Sequence, residues 1–277
     1  MFFAQLKNEL WKLFGKKRTY IGFGVFVVAQ VGMMLLFRYG SHDGMNRLLS
    51  NNGYVPDEFI SALTACMIML VPQLLLLMPL YVTLIGGDLV AKEYEDGTLR
   101  MILSRPISRS RLLFVKWVAG VIFAVLQVLF LGMIALLIAR TLFPWRSMFV
   151  LIPGGGFGAF SAREGLQRYA FAHLFMAINA SVMLSVAFMF SSFNMKPAAA
   201  TILALSYLLL NFVLDKIPFF DRYQNWFITH HFESWLHLFQ RPVQWPVIIQ
   251  SQVILVASCV TVFIIGCTAF YVRDIKS

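Results

Sequence analysis

Six long apolar stretches, separated by more polar segments, run along the chain: Tyr20–Phe37, Phe59–Gly87, Leu112–Ala139, Tyr169–Met195, Pro197–Leu214 and Val247–Val272. A helix needs about 20 residues to cross the hydrocarbon of a bilayer. Backbone groups in lipid must be satisfied within their own segment, so each stretch is read as a spanning helix. The fifth, 18 residues long, reaches roughly 27 Å at 1.5 Å per residue, which is just sufficient. Pro72 and Pro79 each remove a backbone donor from the second stretch and predict a kink there. The first stretch lacks a small-residue cleavage site and is followed by five more, so it does not read as a signal peptide. The expected fold is an all-α polytopic membrane protein, with residues 1–277 forming a single transmembrane domain.

Ahead of the first span, residues 1–18 place Phe2, Phe3, Leu6, Leu10, Leu13 and Phe14 at helical spacing, with Lys7, Glu9, Lys12 and Lys16 on the rest of the turn. This predicts an amphipathic helix lying in the membrane interface. Composition agrees with a lipid-embedded chain. Of 277 residues 59% are hydrophobic and only 13% charged, against roughly 25% charged in soluble domains. That excludes a soluble globular protein, a disordered chain and a disulfide-built secreted domain. Cys66, Cys259 and Cys267 lie inside apolar runs without paired spacing and read as small core residues. The net charge of +10 invites a nucleic-acid reading, but its distribution follows the membrane. With the N-terminus inside, fourteen Lys and Arg fall on the inner face and nine on the outer. The positive-inside rule therefore places both termini in the cytoplasm, and no nucleic-acid partner is needed.

Residues 88–109, between the second and third spans, are dense in charge. Gly86-Gly87 is expected to end the second span, with Asp88 capping a short helix and Gly97 taking its C-terminal left-handed position. Thr98 then caps a second short helix with Leu99, Ile102 and Leu103 on one face, Pro106 stops it, and Ser108 caps the third span. The expected result is a helical elbow, acidic in its first half and basic in its second. It can be an ordinary solvated loop or a docking element for another protein's groove.

The elbow resembles the membrane subunits of ABC type-2 transporters. Their pattern is Glu-x-Glu-x-Gly-Thr-Leu, then apolar residues, then Ser/Thr-x-Pro-Ile/Val-Ser/Thr-Arg and a later Lys. This chain has Glu93, Glu95, Gly97, Thr98 and Leu99, then Ile102 and Leu103, then Ser104, Pro106, Ile107, Ser108 and Arg109, and finally Lys116. The resemblance implies a coupling helix that seats in a cleft of a nucleotide-binding subunit. By position, Glu93 and Glu95 would face basic groups of that ATPase, Leu99 and Ile102 would fill its apolar groove, and Gly97 would set the bend. Arg105, Pro106 and Arg109 complete the element. Asp96 stands where the family usually has a small residue and Arg100 where it is often acidic, differences that bear on which ATPase is accepted. It further implies two permease copies, most simply a homodimer, two ATPase subunits and a bacterial inner-membrane location. An exporter is the family's habit. Two other readings fit the layout: a permease-like subunit in metalloenzyme maturation of the copper-site type, and a membrane scaffold that transports nothing.

No Gly-x-x-x-x-Gly-Lys-Ser/Thr phosphate loop is present, and Gly154–Gly158 lacks the lysine and reads as an outer turn. The chain itself is thus not read as an enzyme and is expected to bind no cofactor; ATP and Mg would be used by the partner. Apart from Lys116, expected to snorkel at an inner end, no span interior carries an ionisable Asp, Glu, Lys or Arg of the kind ion-coupled carriers use. His230, Glu233 and His237 have i, i+3, i+7 spacing and could hold a metal on one helix face. The preferred reading is an interfacial or re-entrant helix anchored by Trp226, Trp235 and Trp245, with no metal.

Overall fold

The computed structural model describes residues 2–103, 108–152 and 156–272, and the side chains of Arg100, Ile102 and Leu103 lie outside that description. Among the described residues six helices are long and apolar enough to cross a membrane, and they coincide with the six apolar stretches. In chain order, α1 (Phe2–Phe14) precedes the first span, α2 (Lys17–Tyr39). Two short helices, α3 (Asp43–Asn51) and α4 (Pro56–Phe59), lead into α5 (Ala62–Pro72). A π-helical turn, Gln73–Leu77, joins α5 to α6 (Met78–Glu95), so the second span runs without a break from Ala62 to Glu95. The short α7 (Thr98–Leu103) leads toward α8 (Arg109–Leu142). Then come α9 (Ala162–Ser191), α10 (Pro197–Asp215), the one-turn α11 (Ile228–His231) between two 3₁₀ segments, Pro218–Trp226 and Ser234–Phe239, and α12 (Trp245–Val272).

The widened turn begins directly after Pro72, and Pro79 follows at the start of α6. Both prolines lack the donor that would close an α-helical ring, and the chain absorbs the interruption as a five-residue π segment.

The expected break at Gly86-Gly87 does not occur. Both glycines are buried inside α6, which continues two more turns to Glu95. Their purpose is close approach. A methyl at Gly86 would stand 2.7 Å from the Leu184 carbonyl oxygen of α9, and one at Gly87 would stand 2.4 Å from Thr201 Oγ1 of α10. In lipid, where apolar surface alone does not drive helices together, small residues that let backbones touch are the main means of tight packing. Asp88 is consequently a mid-helix residue and not a cap.

Helix α9 is the hub. It touches α6, α8, α10 and α12, and 72% of its apolar window is buried, against 17% for α2. The core runs along this hub, while α2 and α12 turn most of their apolar surface outward, as expected for helices facing lipid.

On the side of the α8–α9 connection the chain forms a hairpin that the hydropathy pattern did not reveal. Strand β1 (Met148–Ile152) pairs antiparallel with β2 (Gly156–Phe160), Met148 opposite Phe160. It is pinned to α5: Ser61 Oγ donates to the Ser147 carbonyl at 2.6 Å, and Thr64 Oγ1 accepts from the Phe149 N–H at 2.9 Å. The predicted Gly154–Gly158 turn thus resolves into strand from Gly156, while Gly154 and Gly155 lie outside the described residues.

Candidate coupling site

Six crossings put α1, the α6–α8 elbow, the α9–α10 turn and the end of α12 on one face. Arg109 Nη1 lies 3.5 Å from the Tyr271 carbonyl oxygen at the end of α12, so the elbow and the last span meet there. The elbow is built by one glycine. Asp96 is the C-cap of α6, and Gly97 adopts φ +72°, the left-handed conformation that closes a helix without a Cβ penalty. Thr98 Oγ1 donates back to the Glu93 carbonyl at 3.2 Å, satisfying an acceptor that the end of α6 leaves unpaired. Ser108 stands at the N-cap of α8 with extended backbone, but its hydroxyl makes no capping hydrogen bond.

The two glutamates of the elbow have different positions. Glu95 and Asp96 are exposed, and Lys92 spans both at 2.8 and 3.2 Å. Glu93, expected to face a partner, turns inward. Its Oε1 lies 2.7 Å from Lys116 Nζ and 3.0 Å from Lys12 Nζ. Glu9 completes the arrangement, with Oε2 2.8 Å from Lys116 Nζ and Oε1 2.8 Å from Lys12 Nζ. Two carboxylates and two ammoniums thus form a closed ring tying α1, α6 and α8 together. Lys116 does not snorkel: its side chain is 1% exposed. Helical geometry decided this, because Lys116 faces α1 and the end of α6 and finds one carboxylate on each, Glu9 and Glu93, which cost less to reach than water does. Burial pulls the Glu9 carboxyl upward, but the charge and hydrogen bond of Lys116, aided by Lys12, outweigh it and hold it below its ordinary value. For Lys12, burial acts downward and the two carboxylates prevail, raising the ammonium.

One layer deeper, the guanidinium of Arg18 pairs with the buried Asp88, and Tyr81 Oη donates to the Thr19 carbonyl at 2.8 Å. These contacts hold the start of α2 to α6.

Leu99, expected to fill a partner's groove, is 1% exposed and belongs to this chain's own core. Met101, on the opposite side of α7, is 65% exposed and is the apolar residue the described elbow presents outward. The side chains of Arg100, Ile102 and Leu103, and the residues Ser104, Arg105, Pro106 and Ile107, lie outside the described residues.

In the sequence, Glu93 and Lys116 were read with the elbow, and Glu9 and Lys12 with the polar side of the first helix, and none was matched with its partners. Glu9 was legible: residues 2, 6, 9 and 13 share one helical face, so it lies among Phe2, Leu6 and Leu13 and not on the polar side.

The outer His230, Glu233 and His237 do not share a helix face. α11 ends at His231 and a 3₁₀ segment begins at Ser234, so no single helix carries all three, although they line one small cavity. His230 Nδ1 pairs with Asp215 at 2.9 Å and Glu233 with Lys216 at 2.7 Å. Among the described residues no three His, Cys, Asp or Glu side chains are grouped as a metal site.

Residues 6–227 match the sequence profile of the ABC-2 family transporter protein. That is most of the chain, from α1 through five spans and into the segment after α10. The chain therefore belongs to the ABC-2 transporter family, a membrane permease component with several spans. A search among curated proteins found no match.

Proposed function

We propose that this chain is the permease subunit of an ABC exporter, driven by a separate ATPase that docks on the α6–α8 elbow. The reading extends to a bacterial cytoplasmic membrane with both termini inside, and to two permease copies, in the simplest case identical. One observation carries it: the second span projects past its membrane stretch into a glycine-closed elbow that turns Glu95, Asp96 and Met101 outward. Its inner side is bolted to α1 and α8 by the Glu9–Lys116–Glu93–Lys12 ring. A push delivered to such an element reaches the first three spans as a rigid displacement instead of being lost in a loose loop. ATP-driven closure of the partner would then shift the spans between two discrete arrangements.

The experiment reverses the outward charges. Glu95→Lys with Asp96→Lys is expected to abolish co-purification of the ATPase while the permease still inserts. Retained ATPase would refute the docking role. For orientation, single cysteines at Arg47 and Met101 are labelled from outside intact cells with a membrane-impermeant thiol reagent. Only the first is expected to react.

A further inference from the structure

A cavity of about 720 Å³ opens on the elbow face between α1, the start of α2 and the end of α6. Six Lys or Arg and four Asp or Glu side chains line it, a net surplus of two positive charges. Four of the cations are already answered by carboxylates: Lys12 and Lys116 in the ring, Lys92 by Glu95 and Asp96, and Arg18 by Asp88. Lys16 and Lys17 have no ion pair among the described residues. The surplus resides on these two. Lys16 is half-buried, and burial, with Arg18 and Lys116 close by, outweighs the pull of Glu93 and Glu9 and holds its ammonium below its ordinary value. A nearby anion would relieve that.

Depth identifies the anion. α2 has 23 residues, about 34 Å of helix against roughly 30 Å of hydrocarbon, so its first turn stands at the headgroup boundary. Lys16 and Lys17, at that first turn, sit where lipid phosphates lie. Around them the surface is apolar and outward-facing: Tyr20 and Ile21 on α2 and Trp11 on α1 are 62%, 66% and 73% exposed. Tyr and Trp at this level are typical of the interface, and Leu13, Ile85 and Leu89 give the cavity an apolar floor.

We infer that Lys16 and Lys17 bind the phosphodiester headgroup of one anionic phospholipid, whose acyl chains lie along the outward face of α2. A zwitterionic lipid would bring its own ammonium against the surplus positive charge and is disfavoured. The inference concerns lipid binding only and does not depend on an ATPase or a cargo.

The test uses the purified full chain in micelles titrated with phosphatidylglycerol or phosphatidylcholine, with bound lipid counted by native mass spectrometry. Each interfacial lysine contributes enough that the double variant Lys16→Ser/Lys17→Ser is expected to bind phosphatidylglycerol about thirtyfold more weakly. Lys16→Arg/Lys17→Arg is expected to bind it like the wild type, which separates charge loss from misfolding. Arg38→Ser, at the other end of α2, is expected to leave it unchanged, and phosphatidylcholine binding is expected to be weak throughout. Undiminished phosphatidylglycerol binding by the serine variant would overturn the proposal. So would equal loss in Arg38→Ser, or displacement of the lipid by excess inorganic phosphate or poly-glutamate, which would assign the site to a free anion or an acidic protein.

Discussion

Replacing Lys116 by Met removes one corner of the ionic ring and keeps most of the side-chain volume. Breaking a buried ion pair from one side usually costs about 3–5 kcal/mol, because the remaining charge is stranded out of water. Two features reduce that here. The Glu9 and Glu93 side chains are 10% and 16% exposed, and Lys12 still bridges both at 2.8 and 3.0 Å. Half the contacts survive, so a loss of about 2 kcal/mol is expected, a drop in melting temperature of roughly 4–8 °C for a chain of this size. The assay is thermal unfolding of the detergent-solubilised chain followed by intrinsic fluorescence. The quadruple variant Glu9→Gln/Lys12→Met/Glu93→Gln/Lys116→Met removes all four charges of the ring, leaves none stranded and is expected to recover most of the loss, since a buried ionic cluster replaced as a whole is often near neutral. An unchanged melting temperature in Lys116→Met, or a quadruple variant less stable than the single one, would refute the account of the ring as a mutually dependent unit.

The ring also sets a pH window. Glu9 sits below its ordinary 4.5 in the folded chain, so its stabilisation is complete above pH 4.5 and is lost as pH falls through the lower folded value. Lys12 sits above its ordinary 10.5, so its share is complete below that pH and is lost as pH rises through the higher folded value. Melting temperature against pH is expected to show a plateau between these limits, with the acid edge moved in Glu9→Gln. At the elbow, Gly97→Ala meets no neighbour within 4 Å, so its cost is purely backbone, about 1 kcal/mol, and Gly97→Asn is expected to cost less; both are read by thermal unfolding. In the membrane, Gly86→Ala is expected to cost about 1–3 kcal/mol because the new methyl meets the Leu184 carbonyl oxygen. Gly24→Ala, with open space around it, is the control and is expected to be neutral or slightly stabilising.

Hydropathy and helical spacing were enough to determine six crossings, the amphipathic start and the elbow's turn, because each depends on a local property: length of apolar chain, one face of one helix, or the freedom of Gly97 to adopt positive φ. The tertiary structure alone decided what those elements do to one another. Gly86 and Gly87 read as a helix end when taken locally, yet they lie within a continuous helix that needs them to touch α9 and α10. Glu93 and Leu99 read as outward docking groups, yet one closes an ionic ring with α1 and α8 and the other enters the core. The hairpin at Met148–Phe160 is short and its strand pattern weak, so it emerges only through its contacts with α5. The physical reason is common to these cases. A charge or a small residue takes its role from the partner brought opposite it, and for Glu9 with Lys116, Glu93 with Lys12, the hairpin with α5, and Gly86 and Gly87 with α9 and α10 that partner lies roughly 80 to 115 residues away along the chain, beyond the reach of any local pattern.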